Sequence, residues 1–174
     1  MTQLWRSFGF IVPLFTLFIL ILSILLIGVF IFKMRQGANA KAVIKQSLLD
    51  VFLLASLSGI LLVTLLPNST GSEQIIQLMP LGSVVELIQH ATDISTLIRI
   101  LGFNILLFIP LGAALALKFD KLRYSILFSF CLSSFIEMTQ LLLPGRTTNI
   151  DDVFLNTFGA VLGLLAGKVA KRFI

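Results

Sequence analysis

Residues 135–167 read FIEMTQLLLPGRTTNIDDVFLNTFGAVLGLLAG, a polar turn set between two apolar segments. The polar side chains in or beside these segments are Glu137, Gln140, Arg146, Asp151, Asp152 and Asn156. An ionisable group costs about 2.5 to 3.5 kcal/mol at the centre of an inserted helix, so such groups usually face the bundle interior and serve function or helix association. The stretch therefore predicts two adjacent helices whose shared polar face organises the fold.

The composition is that of an integral membrane protein. Of the 174 residues, 57% are hydrophobic and only 12% are charged, whereas soluble domains are about a quarter charged. The mean hydropathy is +1.06. We expect one domain of a few helices rather than a soluble catalytic module. The single cysteine and single histidine exclude a disulfide framework and a histidine-cluster zinc site.

Five apolar runs are long enough, or nearly so, to cross about 30 Å of hydrocarbon at 1.5 Å per residue. They cover residues 8–32, 48–66, 98–117, 124–143 and 153–170. The first run is too long for a signal peptide and its positive cluster follows it, so we expect a retained helix. The prediction is an all-α polytopic membrane protein with five transmembrane helices.

The basic residues predict the orientation of these helices. Ten of the thirteen lie between runs one and two, between runs three and four, or at and beyond the end of run five: Lys33, Arg35, Lys41, Lys45, Lys118, Lys121, Arg123, Lys168, Lys171 and Arg172. By the positive-inside rule the N-terminus is outside and the C-terminus cytoplasmic. This pattern explains the pI of about 9.8 without a nucleic-acid partner.

The runs also suggest how the chain is divided. Residues 1–70 hold two N-terminal transmembrane helices, and residues 71–174 hold a core made of an external segment and three transmembrane helices. Apolar positions between residues 82 and 97 recur at roughly helical spacing. This spacing predicts either an amphipathic helix on the outer surface or a cap packed over the bundle.

With this orientation, the polar residues of the last three runs converge in the outer half of the bilayer. Asn104 lies about 9 Å past the start of run three, Glu137 about 9 Å from the outer end of run four, and Asn156 about 6 Å deeper than Asp152. We expect no comparable polar group in the cytoplasmic half. The packing residues are small: Gly112 in run three, and Gly159, Gly163 and Gly167 at four-residue spacing in run five, which permits close backbone approach.

Taken in order, these residues resemble the VanZ-like family of bacterial membrane proteins over about residues 75–165. The resemblance is carried by Asn104, Phe108-Ile109-Pro110-Leu111-Gly112, Glu137, Gln140, Arg146, Ile150, Asp152, Asn156, Gly159 and Gly163. Two positions differ from the family pattern: Asn149 stands where an acidic residue is favoured, and Gln77-Leu78-Met79-Pro80-Leu81 replaces an asparagine-leucine-x-proline-phenylalanine element. The resemblance implies a multi-pass protein of the bacterial cytoplasmic membrane. One named member of the family is associated with low-level resistance to teicoplanin-type lipoglycopeptides.

The charged residues have both functional and packing interpretations. Glu137 is a candidate acid, base or proton carrier, or it hydrogen-bonds Asn104, Asn156 or Arg146 and holds helices together. Arg146 is a candidate for binding an anionic headgroup or pyrophosphate, or it forms a salt bridge with Asp151 or Asp152. We expect one of these two aspartates to cap run five. The other is available to Arg146 or, with Glu137, to a divalent cation.

The remaining polar residues carry less specific expectations. Asn104 and Asn156 are expected to form hydrogen bonds between helices. His90 and Cys131 have no assigned role.

We therefore expect a non-enzymatic envelope protein without a cofactor. Its outer-leaflet pocket would recognise a membrane lipid, a lipid-linked precursor headgroup or a lipoglycopeptide. The expected pocket residues are Asn104, Glu137, Gln140, Arg146, Asp151, Asp152 and Asn156. Three alternatives stay open: an intramembrane lipid hydrolase or transferase using Glu137 and Asp152, a proton-coupled lipid or drug transporter, and a purely structural protein.

Overall fold

The computed structural model describes residues 11–37, 39–65, 76–77, 79–80, 82, 85, 94–143, 146 and 148–173. These residues form five helices: α1 (Ile11–Arg35), α2 (Ala40–Leu65), α3 (Ile94–Lys118), α4 (Leu122–Gln140) and α5 (Ile150–Ala170). Two short strands, β1 (Ile76–Gln77) and β2 (Thr148–Asn149), pair in parallel. The predicted all-α class is confirmed.

Four helices are long and apolar enough to cross a membrane. Their candidate spans are Thr16–Arg35, Ala40–Leu65, Leu101–Lys118 and Ile150–Ala170, and they indicate a membrane protein. Helix α4 is not among them because its sequence, LRYSILFSFCLSSFIEMTQ, mixes polar side chains into the apolar run. The prediction of five spans and of the orientation of the termini therefore stays a prediction.

The chain divides into two compact units, Met1–Val63 and Thr64–Ile174. The first unit contains α1, whose apolar side chains are largely exposed, and most of α2, whose apolar side chains are mostly half-buried. The second contains the last residues of α2, the short strands and helices α3 to α5. The helix or cap predicted over residues 82–97 falls mainly outside the residues that the structure describes.

Helix α5 is the centre of the second unit because it packs against both α3 and α4. Its glycines face the backbone of α3. A Cβ added at Gly159 would overlap the carbonyl oxygen of Ile105, and one at Gly163 would overlap that of Ile109. Gly112 of α3 lies equally close to the carbonyl oxygen of Ala160. Without side chains at these positions, the two backbones approach as closely as the spacing of small residues predicts.

The ends of α4 and α5 differ from the ends of the apolar runs in the sequence. Helix α4 ends at Gln140, before the end of its apolar run at 143, and α5 begins at Ile150, ahead of the run that starts at 153. At the other end of α5, Lys171 Nζ lies 2.7 Å from Asp120 Oδ1 in the α3–α4 turn. That lysine holds the pKa of the exposed Asp120 carboxyl below its ordinary value.

Candidate functional site

Glu137, near the end of α4, is at the centre of the site. Its side chain is only 6% exposed, and Oε2 accepts a hydrogen bond from the backbone N–H of Asn149 with a distance of 2.9 Å. Thr148 Oγ1 donates to the backbone carbonyl of Glu137 at 3.4 Å. Among the described residues, neither Asn104 nor Asn156, two of the three packing partners considered for Glu137, is its hydrogen-bond donor. The donor to Oε2 is instead a backbone amide in the strand before α5.

Asn149 caps α5, and its side chain makes two contacts. Oδ1 accepts the backbone N–H of Asp151 at 3.0 Å, and Nδ2 donates to Asp152 Oδ1 at 3.4 Å. The prediction that Asp151 or Asp152 caps this helix is wrong because Asn149 already occupies the N-cap. Both aspartates lie in the first turn instead, where the positive end of the helix dipole stabilises a negative charge.

The parallel strand pair brings together the two places where the sequence departs from the VanZ-like pattern. Gln77 of β1 is the partner of Asn149 in β2, and Ile76 is the partner of Thr148. Gln77 begins the altered upstream element, and Asn149 occupies the position where an acidic residue is favoured. The two departures are therefore adjacent in space and belong to one local arrangement.

Asp152 connects this junction to α3. Asn104 of α3 lies close enough to Asp152 for its side-chain amide to interact electrostatically with the carboxylate. Asp152 is also close enough to Glu137 and to Asp151 for like charges to repel. The end of α4, the start of α5 and the middle of α3 thus meet at one polar cluster.

Asn156, one turn further along α5, forms a separate link to α4. It is 2% exposed, and its Nδ2 donates to Ser133 Oγ at 2.8 Å. Within the described residues its Oδ1 has no hydrogen-bond partner. Ser133 continues a buried line on α4 that includes Ser129 and Ser125. Helix α4 therefore buries a line of hydroxyl groups that begins one turn before Glu137 and extends towards the start of the helix.

Gln140 and Arg146 lie in the sequence between Glu137 and Asn149. Gln140 is buried, and its Nε2 donates to the backbone carbonyl of Thr64 at 2.8 Å. Arg146 lies half-buried in the turn between α4 and β2, with its backbone N–H 3.4 Å from the carbonyl of Leu143. This burial lowers the pKa of the Arg146 guanidinium.

An open groove of about 260 Å³ lies between α4 and α5. Its lining residues are Phe130, Ser134, Glu137, Met138, Leu141, Thr148, Ile150, Val153 and Phe154. Most are apolar, and several are exposed, including Met138 and Phe154. Glu137 therefore belongs to the polar cluster and also to the wall of an apolar groove. The sequence does not reveal this groove, because most of its lining residues read singly as ordinary lipid-facing positions.

A family profile described as VanZ/LLP1 matches residues 15–171 of this chain. The chain belongs to the VanZ/LLP1 family. The match extends beyond the resemblance over residues 75–165 and includes most of α1 and all of α2. No curated protein and no solved structure matched the chain.

In the part of this VanZ/LLP1 protein that the structure describes, the carboxylates do not form a set of metal ligands. Among the described residues, no three histidine, cysteine, aspartate or glutamate side chains form a group that could hold a metal ion. The arrangement thus does not support a divalent cation shared by Glu137, Asp151 and Asp152. Cys131 is an exposed free thiol on α4, and His90 lies outside the described residues.

Proposed function

We propose that this VanZ/LLP1 protein is a multi-pass protein of the bacterial cytoplasmic membrane that recognises an amphiphile through a polar pocket in the outer leaflet. The amphiphile is a membrane lipid, a lipid-linked cell-wall precursor or a lipoglycopeptide. Four apolar spans and the family match support membrane residence. In the proposal α4 is the fifth span, and the distribution of basic residues sets the N-terminus outside.

The observation that carries the proposal is the partial burial of Arg146, three residues before the N-cap Asn149 of the polar cluster. The cluster itself is held together by hydrogen bonds from Asn149 to Glu137 and Asp152. A guanidinium binds carboxylate or phosphate through paired hydrogen bonds. Partial burial strengthens such contacts because water screens them less. The internal hydrogen bonds of the cluster fix Asn149 and the start of α5 before a ligand arrives, which lowers the entropic cost of binding.

Lipid binding by purified protein tests this role of Arg146. In nanodiscs containing phosphatidylglycerol, Arg146→Ala is expected to weaken binding about tenfold, the effect of losing one charge-assisted hydrogen-bonding group. Arg123→Ala is the matched control, since Arg123 is an exposed arginine at the start of α4. Equal binding by wild type and Arg146→Ala, with the protein folded, would refute the proposal.

The proposal includes resistance to teicoplanin-type lipoglycopeptides. The reason is the family resemblance, since one named member of the family is associated with such resistance. Cells that express the wild-type protein are expected to tolerate more teicoplanin than cells that express Arg146→Ala at the same membrane level. No difference between wild-type expression and an empty vector would remove this part of the proposal and leave lipid recognition standing.

A second candidate function, an intramembrane lipid hydrolase or transferase, is favoured by the proximity of two carboxylates. Glu137 and Asp152 lie close enough to repel each other, and paired carboxylates suit general acid–base chemistry. Lipid profiles of membranes with wild type and with Glu137→Gln separate the candidates. A lipid species formed only with wild type supports catalysis, and identical profiles support recognition.

A further inference from the structure

We propose that the groove between α4 and α5 holds one acyl chain of a phospholipid whose headgroup carries a protonated primary amine, with the amine bound at Glu137. This inference rests on the proposed function, because it names the ligand class of the same site. The inference adds the apolar groove to the site as a second region of ligand contact, beside the polar residues.

The size of the groove selects a chain rather than a larger ligand. Its volume of about 260 Å³ falls below the roughly 300 to 1,000 Å³ of pockets that enclose drug-sized molecules. The core of a lipoglycopeptide does not fit in this volume. One segment of an alkyl chain does, and it can enter from the side because the groove is open between the two helices.

The lining favours the same occupant. Aromatic and aliphatic side chains form most of the wall, among them Phe130, Val153 and Phe154. Phe154 is 55% exposed and Met138 is 67% exposed. Since both helices cross the membrane in the proposed topology, these side chains contact hydrocarbon. A chain moving from the bilayer into the groove gains van der Waals contacts without exposing apolar surface to water.

Glu137 supplies the polar end of the site. Its Oε2 accepts the Asn149 amide, while within the described part of the chain Oε1 accepts no hydrogen bond and the side chain lines the groove. An acceptor in an apolar wall gains from a donor on the ligand, because a partly buried polar atom without a partner is costly. A primary ammonium offers three donors and complements the carboxyl group. A quaternary ammonium has no N–H donor.

Two matched tryptophan reporters test occupancy of the groove. Trp5 is the single tryptophan, so the background is Trp5→Phe. Phe154→Trp is placed in the groove, and Phe158→Trp, one turn along α5 and outside the groove, is the control. The two phenylalanines are 55% and 53% exposed. Protein reconstituted with phosphatidylethanolamine brominated on one acyl chain is then transferred to detergent, and the quenching of tryptophan fluorescence is followed.

Quenching is expected to persist at position 154 after it is lost at position 158. Equal loss at both positions would refute chain binding. Ser134→Leu, which adds bulk to the groove wall, is expected to abolish the persistent quenching. The comparison of 154 with 158 does not depend on that variant folding.

Headgroup selectivity tests the role of Glu137. Brominated phosphatidylethanolamine is expected to be retained about tenfold better than brominated phosphatidylcholine, the ratio that one charge-assisted hydrogen bond provides. Glu137→Ala is expected to remove this preference while a chain still binds. Equal retention of the two lipids by wild type would refute the amine contact. The three readouts here are the quenching difference between positions 154 and 158, the effect of Ser134→Leu, and the preference for phosphatidylethanolamine. None of them depends on whether Arg146→Ala weakens binding of anionic lipid, so failure of the proposed function and failure of this inference are distinguishable.

Discussion

At the scale of single residues, Asn149 joins α4 to α5 through three hydrogen bonds. Its backbone N–H donates to Glu137, its side-chain oxygen caps α5, and its side-chain nitrogen donates to Asp152. A carboxylate at the same position would also cap the helix. It would, however, bring a further negative charge towards Glu137 and Asp152. An asparagine keeps the cap and avoids that repulsion.

Replacing Asn149 tests the cap. Asn149→Ala is expected to lower the free energy of unfolding by about 1 kcal/mol, because an amide of the first turn loses its acceptor. Asn149→Ser keeps an acceptor oxygen and is expected to remain near wild type. Thermal unfolding in detergent measures both variants. Identical melting of wild type and Asn149→Ala would show that the cap does not contribute.

Two substitutions of Glu137 separate its charge from its hydrogen bond. Glu137→Gln keeps a carbonyl oxygen for the Asn149 amide, so its stability is expected to stay near that of wild type. Glu137→Ala leaves that amide without its acceptor, at a cost of about 1 to 3 kcal/mol. Thermal unfolding again provides the measurement. If Glu137→Gln lowered the stability of the protein as much as Glu137→Ala, the hydrogen bond to Asn149 would not be the main contribution of Glu137 to stability.

The sequence could predict that Glu137 is held in a polar helix junction but not by which donor. Side-chain donors such as Asn104 and Asn156 are visible in a sequence, so they were the natural candidates. A backbone amide leaves no such signal, because every residue except proline has one. The same reason explains why Asp151 and Asp152 were expected as caps. Asn149 stands out in the sequence only as a difference from the family pattern.

At the scale of elements, the close α3–α5 contact fixes α5 at the centre of its unit. Backbone meets backbone at Gly159 and Gly163 on α5 and at Gly112 on α3. The four-residue spacing of small residues predicts which face of α5 packs closely. It cannot predict that α3 rather than α4 is the partner, since a sequence spacing defines a face and not its neighbour.

Two alanine substitutions compare a crowded glycine with an open one. Gly163→Ala is expected to lower the free energy of unfolding by about 1 to 3 kcal/mol. The added methyl group would overlap the Ile109 carbonyl and force the helices apart. Gly102→Ala, also within a helix, meets no atom within 4 Å and is expected to be neutral or slightly stabilising. Thermal unfolding in detergent distinguishes them. Equal stability of the two variants would contradict the close α3–α5 packing.

Helix α4 illustrates the limit of hydropathy as a guide. Its line of buried serines and Glu137 faces inward, while Phe128, Phe130 and Phe135 are exposed. Averaging over both faces lowers its hydropathy below that of the four apolar helices. A helix with one polar and one apolar face suits a bundle that buries a site, and its position between α3 and α5 in the sequence supports the proposed fifth span.

At the scale of the whole molecule, the family match covers both compact units. It spans residues 15–171, whereas the residues that suggested the family from sequence begin near residue 75. The N-terminal helices are apolar with few distinctive polar positions, so they carry little motif information. The class of protein could thus be predicted from composition and from the polar positions after residue 100. The ligand groove could not, because it forms only when two helices pack together.

The outer-leaflet location of the Arg146 turn is the central claim, and cysteine accessibility tests it most directly. In a Cys131→Ser background, which removes the native thiol, Arg146→Cys and Arg172→Cys are treated in intact cells with a membrane-impermeant maleimide. Position 146 is expected to be labelled in intact cells, and position 172 only after the membrane is permeabilised. Labelling at 146 only after permeabilisation would contradict the account.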